Sequence, residues 1–293
     1  MKRKNAKTNW IIFLAVLLGF LLLSNFVFAL KSENQSLISH IKLDDLSYKD
    51  SVGGFGESYI FFKESGKVVA GILDNAVNFD GRNAIEFADD DKYSIGKNGI
   101  TVAFWMKPGN FNFIGEAEGY VHFLGKGEWN SAPNYEWSFR LYNSDSWDSV
   151  SRSKRITFYI FNLSGGLGAG SYFQDNLLEN QWIHVVGVAD GTDTLIYKNG
   201  ILRDKDAYKP GLGGFANIVP ENGNAPFRIG AMDRHSSFQG AIDDVKIFDR
   251  ALSSEEIMEL YNSYGNQTDN PDYHKSLFYK LRKFIFSQNF MNN

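Results

Sequence analysis

The sequence predicts an all-β fold, a sandwich or a barrel, and three observations predict it. Aromatic residues make up 15% of the 293-residue chain, with 25 Phe and 14 Tyr, and 28 Gly supply turn positions. Such a mixture favours half-buried strands joined by tight turns. From about residue 37 to about residue 264, short β-branched and aromatic runs alternate with Gly, Asn and Asp, which is the rhythm of a sandwich or barrel. Finally, Asn199-Gly200 stands between two apolar runs, as a two-residue type I′ hairpin turn requires.

In chain order, the first element is not part of the sandwich. Lys2, Arg3, Lys4 and Lys7 precede an apolar run from Trp10 to Leu23, and the small residues Val27 and Ala29 follow. Residues 1–29 read as an export segment with a signal-peptidase cut after Ala29. The run to Leu30 is also about 20 residues long, enough for a hydrophobic helix to span a bilayer, so an uncleaved signal anchor is the alternative. Either form leaves the basic cluster cytoplasmic and sends the rest outside, secreted or tethered to the outer face of the cytoplasmic membrane.

Residues 30–36 then serve as a linker, and the β domain occupies 37–264. Within it Ala84–Phe87 alternates, Ile100–Met106 is an uninterrupted apolar strand ended by Pro108, and Tyr135–Leu141 alternates again. Arg155–Phe161 and Trp182–Val188 continue the pattern. Thr194–Lys198 and Ile201-Leu202 flank the Asn-Gly turn; Pro220–Pro226 is a loop, and Phe227–Gly230 returns to strand. Ser253-Ser254-Glu255-Glu256 has the polar start and acidic first turn of a helix, with Ile257, Leu260, Tyr261 and Tyr264 at helical spacing. Residues 265–293 form a linker and a short, basic, amphipathic helical tail, with Lys275, Arg282 and Lys283 opposite Leu277, Leu281 and Phe284.

Charge and composition exclude several classes. Setting aside the four N-terminal bases leaves 26 Lys and Arg against 34 Asp and Glu, a net charge of −8. A body this acidic is unsuited to nucleic acid, whose phosphates need Lys and Arg. With no cysteine, disulfides, thiol catalysis and cysteine zinc sites are excluded.

Several segments together resemble the laminin-G-like jelly roll of the concanavalin A-like lectin/glucanase superfamily. Asn75–Gly81 and Ile100–Pro108 are similar to its first core strands, and Asn180–Val188 with Leu195–Gly200 to its central hairpin. Gly240-Ala241-Ile242-Asp243-Asp244-Val245-Lys246-Ile247-Phe248, followed by Asp249–Ile257, is similar to its closing strand and helix almost residue by residue. The resemblance spans roughly residues 37–264. It implies two stacked antiparallel sheets, a structural calcium ion and recognition of carbohydrate or other proteins.

Strict alternation along the closing strand puts Asp243 with Val245 and Ile247 on one face, so one carboxylate shares a side with the core. A buried carboxylate must be paired, ligated or neutral, and calcium with its hard oxygen ligands is the natural partner. The resemblance implies an early Asp as a second ligand, best matched by Asp50, and Asp80-Gly81 as a further contributor. Asp89-Asp90-Asp91 reads as a solvated turn more than as a second cation site.

His184 has no nucleophile motif beside it and reads as a half-buried structural imidazole. The paired carboxylates of a glucanase, spaced Glu-x-Asp-x-x-Glu, are missing: Glu86 is followed two residues on by Ala88, and Glu116 and Glu118 lie in a glycine-flanked loop. Trp129, Trp147 and Tyr142 lie in a stretch crowded with Asn, Ser and Asp and are the candidates for a sugar platform, with loop anchoring as the alternative for the two Trp; Trp137 reads as core.

The expectation is an exported, non-catalytic binding or adhesion module for a glycan or cell-surface protein. The alternatives are a carbohydrate-active enzyme, either glycoside hydrolase or polysaccharide lyase, and a purely structural cell-envelope domain.

Overall fold

The computed structural model describes residues 36–52, 58–60, 66–111, 113, 119–128, 134–143, 150–163, 168–209, 218–232 and 238–265. Strands β1 (Leu37–Ile41), β2 (Ser58–Ile60), β3 (Lys67–Ala70), β4 (Asn75–Asp80) and β5 (Ile85–Phe87) lead to a 3₁₀ turn at Asp91–Tyr93. β6 (Ile100–Pro108), β7 (Tyr120–Glu128), β8 (Asn134–Tyr142), β9 (Arg155–Phe161) and β10 (Gly168–Gln174) follow. β11 (Ile183–Ala189), β12 (Asp193–Lys198), β13 (Ile201–Ala207), β14 (Phe227–Ile229) and β15 (Gln239–Phe248) precede one helix, α1 (Ser254–Ser263). The first sheet runs β13-β12-β11-β6-β15-β4-β3, with β1 also paired to β15; the second runs β10-β9-β8-β7-β14-β5-β2. Every strand pairing among the described residues is antiparallel, and the two-sheet sandwich that the resemblance implies is the fold observed.

Alternation explains the core. Phe104 and Met106 from the first sheet meet Phe123, Phe139, Phe158 and Ile160 from the second, all essentially inaccessible to water. Phe104 lies edge-on to Phe139 at 4.8 Å between centroids. Each such ring contributes about 1.5–3 kcal/mol by burial. Trp137 is core as predicted, and its indole N–H donates to Tyr93 O at 2.7 Å.

A second apolar layer covers the outer face of the first sheet, where Trp105, Val186, Val188 and Phe248 pack against Leu252, Ile257, Leu260 and Tyr261. β6 and β11 are therefore buried on both faces, which is why their sequences run apolar without alternating. The helix that makes this layer is held at its start by a reciprocal cap. Ser253 Oγ accepts from Glu256 N–H at 3.2 Å, and the Glu256 carboxylate accepts from Ser253 N–H at 2.8 Å. Ser253→Ala is expected to cost about 1 kcal/mol in thermal or urea unfolding, and an unchanged midpoint would show that the cap contributes nothing.

The Asn199-Gly200 turn has positive φ at both residues, 52° and 76°, as its type requires. β7, the second-sheet neighbour of β8, is absent from the sequence reading. Its second half is Gly125-Lys126-Gly127, and a Cβ on either glycine would collide with Met232 at 2.7 Å. The strand also carries two register shifts against β8, so it shows no apolar alternation. The N-terminal apolar segment and the C-terminal tail lie outside the described residues. Among the described residues, no helix is long and apolar enough to cross a membrane.

Candidate functional site

Pairing with β6 decides where the two aspartates of the closing strand point. Asp243 sits opposite Trp105 and Lys246 opposite Ala103, so β15 carries an extra residue there, and Asp244 takes φ +53°. This bulge overturns the strict alternation read from the sequence. Ile242, Val245 and Ile247 all join the core between the sheets, and Asp243 is turned to the outer side, against Ile72 of the second apolar layer.

Asp243 is only 3% exposed, and its Oδ2 accepts from Ile72 N–H at 2.7 Å. A Cβ on Gly71 would lie 2.5 Å from that oxygen, so the turn approaches closely only because residue 71 is glycine. Asp44 binds the same turn from its far end, accepting from Asn75 N–H at 3.2 Å. Burial pushes the Asp243 carboxyl up to about 7; the Ile72 amide opposes this, and the charges of Asp244 and Asp44 reinforce it. For Asp244 burial also works upward, but His40, Lys246 and Tyr264 outweigh it and hold that carboxyl below its ordinary value.

The other two proposed calcium ligands are engaged elsewhere. Asp50 Oδ1 accepts from His40 N–H at 2.8 Å and Val52 N–H at 2.9 Å, closing its own turn. Asp80 pairs with Arg82 and sits opposite Gln239, four residues along β15 from Asp243, or about 13 Å of strand. Asp44 is the neighbour of Asp243 that sequence reading missed; its signal was the Asp44-Asp45 pair just after the first strand. Asp89-Asp90-Asp91 divides its roles: Asp89 accepts from Lys126 at 2.7 Å, Asp90 caps the 3₁₀ turn, and Asp91 lies within it. Among the described residues, no three His, Cys, Asp or Glu side chains are grouped to hold a metal.

His184 lies deeper than the half-buried position predicted for it. It is 1% exposed, beside Trp105 at 5.1 Å, with neither ring nitrogen hydrogen bonded among the described residues. Trp129 and Trp147 lie outside the described residues, beyond the ends of β7 and β8 respectively. Tyr142, the third proposed platform residue, is 6% exposed and 5.2 Å from the Tyr120 ring.

Tyr142 belongs to a larger aromatic field on the outer face of the second sheet. His122 stacks on Tyr135 at 5.1 Å, Tyr135 packs on Phe161 at 5.3 Å, and Phe161 stacks on Tyr159 at 6.0 Å. Arg140, opposite His122 in the β7–β8 register, lies 4.5 Å from the Tyr120 ring and 4.6 Å from Tyr159. Burial, with the Arg140 charge, holds His122 well below the usual imidazole range, so it is neutral; its Nδ1 shares a 2.8 Å hydrogen bond with Ser138 Oγ. Farther along the face, Glu86 and Glu128 both bind the Arg228 guanidinium, at 2.7 and 3.2 Å. Sequence reading found Arg140 only as a polar position in an alternating strand, because its ring neighbours come from β7 and β9.

A laminin G family model described as the concanavalin A-like lectin/glucanases superfamily matches residues 79–258. Non-toxic nonhemagglutinin type D of Clostridium botulinum D phage is 20% identical over 269 residues, which is 89% of this chain but 19% of that protein. Domain 4 of AbnA, an extracellular arabinanase from Geobacillus stearothermophilus solved with arabinotriose, superposes with a TM-score of 0.55 at 22% identity, covering 77% of this chain and 98% of the domain. The ligand binding domain of botulinum neurotoxin serotype D with N-acetylneuraminic acid gives 0.57 at 15% identity, and the binding domain of neurotoxin DC with rat synaptotagmin II gives 0.56 at 16%. Each covers 80% of this chain, which in turn spans 52% of each.

Proposed function

The chain belongs to the concanavalin A-like lectin/glucanase superfamily, and from that premise we propose that it is an exported, non-catalytic module that binds a glycan or cell-surface protein. The observation that carries this reading is the outer face of the second sheet. There the partly exposed Tyr159 and Arg140 lie together beside the buried rings of Tyr120 and Phe161, and a ring beside hydrogen-bonding groups suits the CH face and hydroxyls of a sugar. The carboxylates of that face, Glu86 and Glu128, are tied to Arg228, an arrangement suited to holding a sheet together and not to paired acid and base chemistry. The ligands named for the similar domains, arabinotriose, N-acetylneuraminic acid and synaptotagmin II, supply the ligand classes. The basic and apolar N-terminal segment and the extracellular arabinanase domain support export.

Binding of the full chain to immobilised arabino-oligosaccharides, sialylated glycans and cell-surface proteins tests the proposal. We expect capture by one of these sets and its loss in Tyr159→Ala. Empty panels, or release of reducing sugar from a polysaccharide, would contradict the reading.

We further propose that Asp243 and Asp44 hold a structural calcium ion. They supply hard oxygens at the turn that packs against β15, one of them on a carboxyl whose pKa is raised by burial and by the neighbouring Asp244 and Asp44 charges. Backbone carbonyls and water would complete the shell, and the bound ion would neutralise the carboxylates and tie the 71–75 turn to the closing strand.

A further inference from the structure

We propose that the outer face of β7–β9 selects saccharides that carry a carboxylate, with Arg140 as the group that binds it; this rests on the binding reading above. Arg140 has no carboxylate partner among the described residues, whereas the buried cations Lys126 and Arg228 of the second sheet do: Lys126 pairs with Asp89 and Glu136, and Arg228 with Glu86 and Glu128. Its side chain is partly exposed, while its Nε is buried with no hydrogen-bond partner. The guanidinium is flanked by Tyr120 at 4.5 Å and by Tyr159 and Phe161 at 4.6 and 5.3 Å. The Tyr142 side chain takes one hydrogen bond from the guanidinium, and the rings hold its plane in place with the remaining N–H donors arranged as a fork that fits a carboxylate.

Two neighbours reinforce the choice of an anion. Arg155 and Arg152 lie within electrostatic reach of Tyr159 together with Arg140, and Arg155 is hydrogen bonded to the neutral Gln174 at 2.9 Å. This is a basic spot on an acidic body. Opposite Arg140 in register, His122 is 1% exposed and burial keeps it uncharged, so it sets no competing positive charge beside the guanidinium. A sugar ring laid against the partly exposed Tyr159 would place an acidic substituent at the Arg140 fork.

The experiment is calorimetric titration of the full chain with trisaccharides ending in glucuronate, galacturonate or N-acetylneuraminate, each against its carboxyl-reduced counterpart. The expected result is that at least one acidic form binds about tenfold or more tightly than its reduced form, and that the advantage shrinks at high salt. Arg140→Gln should abolish the advantage and Arg140→Lys should lose most of it, since an ammonium lacks the fork. If either variant fails to fold, the matched pairs and the salt series on the unaltered chain still decide. Equal binding of acidic and reduced forms, or an acidic preference that survives Arg140→Gln, overturns the Arg140 assignment and leaves the binding reading standing. Binding to none of these sugars, nor to the wider panel, overturns both.

Discussion

Lowering the pH from about 7 to about 4 is expected to destabilise the protein through His184, by an amount comparable to a large share of an ordinary domain's stability. Burial, then the charge on Lys246, pushes this imidazole down to about 3, against the opposing influence of Asp244. In the unfolded chain a histidine titrates near 6.5. Below that pH the unfolded chain takes up a proton that the folded protein refuses, so the contribution is intact above the unfolded pKa and is lost as pH falls toward the folded one. A shift of this size corresponds to on the order of 5 kcal/mol in full, of which about 3 kcal/mol is lost by pH 4. The physical origin is the site itself, a ring enclosed by Trp105, Tyr261 and Tyr264 with no hydrogen bond to either nitrogen among the described residues. Comparing melting temperatures of the unaltered chain and His184→Phe across this range isolates the effect, because every other titration is common to both. Convergence of the two curves at high pH and divergence in acid is expected; parallel curves would contradict the assignment.

Calcium is expected to raise the melting temperature strongly at pH 8 and weakly at pH 5.5. Without a cation the folded protein holds a proton on Asp243 up to about pH 7, whereas the unfolded chain releases it near 3.9. Here the folded pKa is the higher one, so this contribution is fully present below the unfolded value and is lost as pH rises through the folded value, the reverse of His184. At pH 8 the metal-free fold must keep a buried carboxylate ionised, at a cost on the order of 4 kcal/mol. A calcium ion removes that cost by pairing with the charge, and the ion's affinity should climb with pH as the carboxyl gives up its proton. Chelator should lower the melting temperature at pH 8, and Asp243→Ala should abolish the chelator's effect. In chelator at pH 8, Asp243→Asn should be at least as stable as the unaltered chain. Identical midpoints with and without chelator would sink the calcium proposal.

What was legible in the sequence depended on how local the cause was. β6 and β11 stood out because burial on both faces leaves nothing polar in Val102–Met106 or Val185–Val188. The Asn199-Gly200 turn and the Ser253–Glu256 cap were legible because their chemistry lies within two to four consecutive residues. β7 was not, since Gly125, Lys126 and Gly127 answer to Met232 and to a buried ion pair from distant segments. The orientation of Asp243 was missed for a similar reason: the extra residue at Asp244 exists only relative to the register of β6. Asp44 meets the Asn75 amide 31 residues away, and Arg140 gains its rings from two flanking strands. Neither site leaves a periodic trace in its own strand.

The central claim is that the aromatic outer face of β7–β9 is the binding surface. A crystal structure of the full chain with a captured saccharide tests it most directly. The sugar is expected against Tyr159 with a substituent at Arg140; a sugar seated on the α1-covered face of the first sheet, or at a site remote from β7–β9, would contradict it.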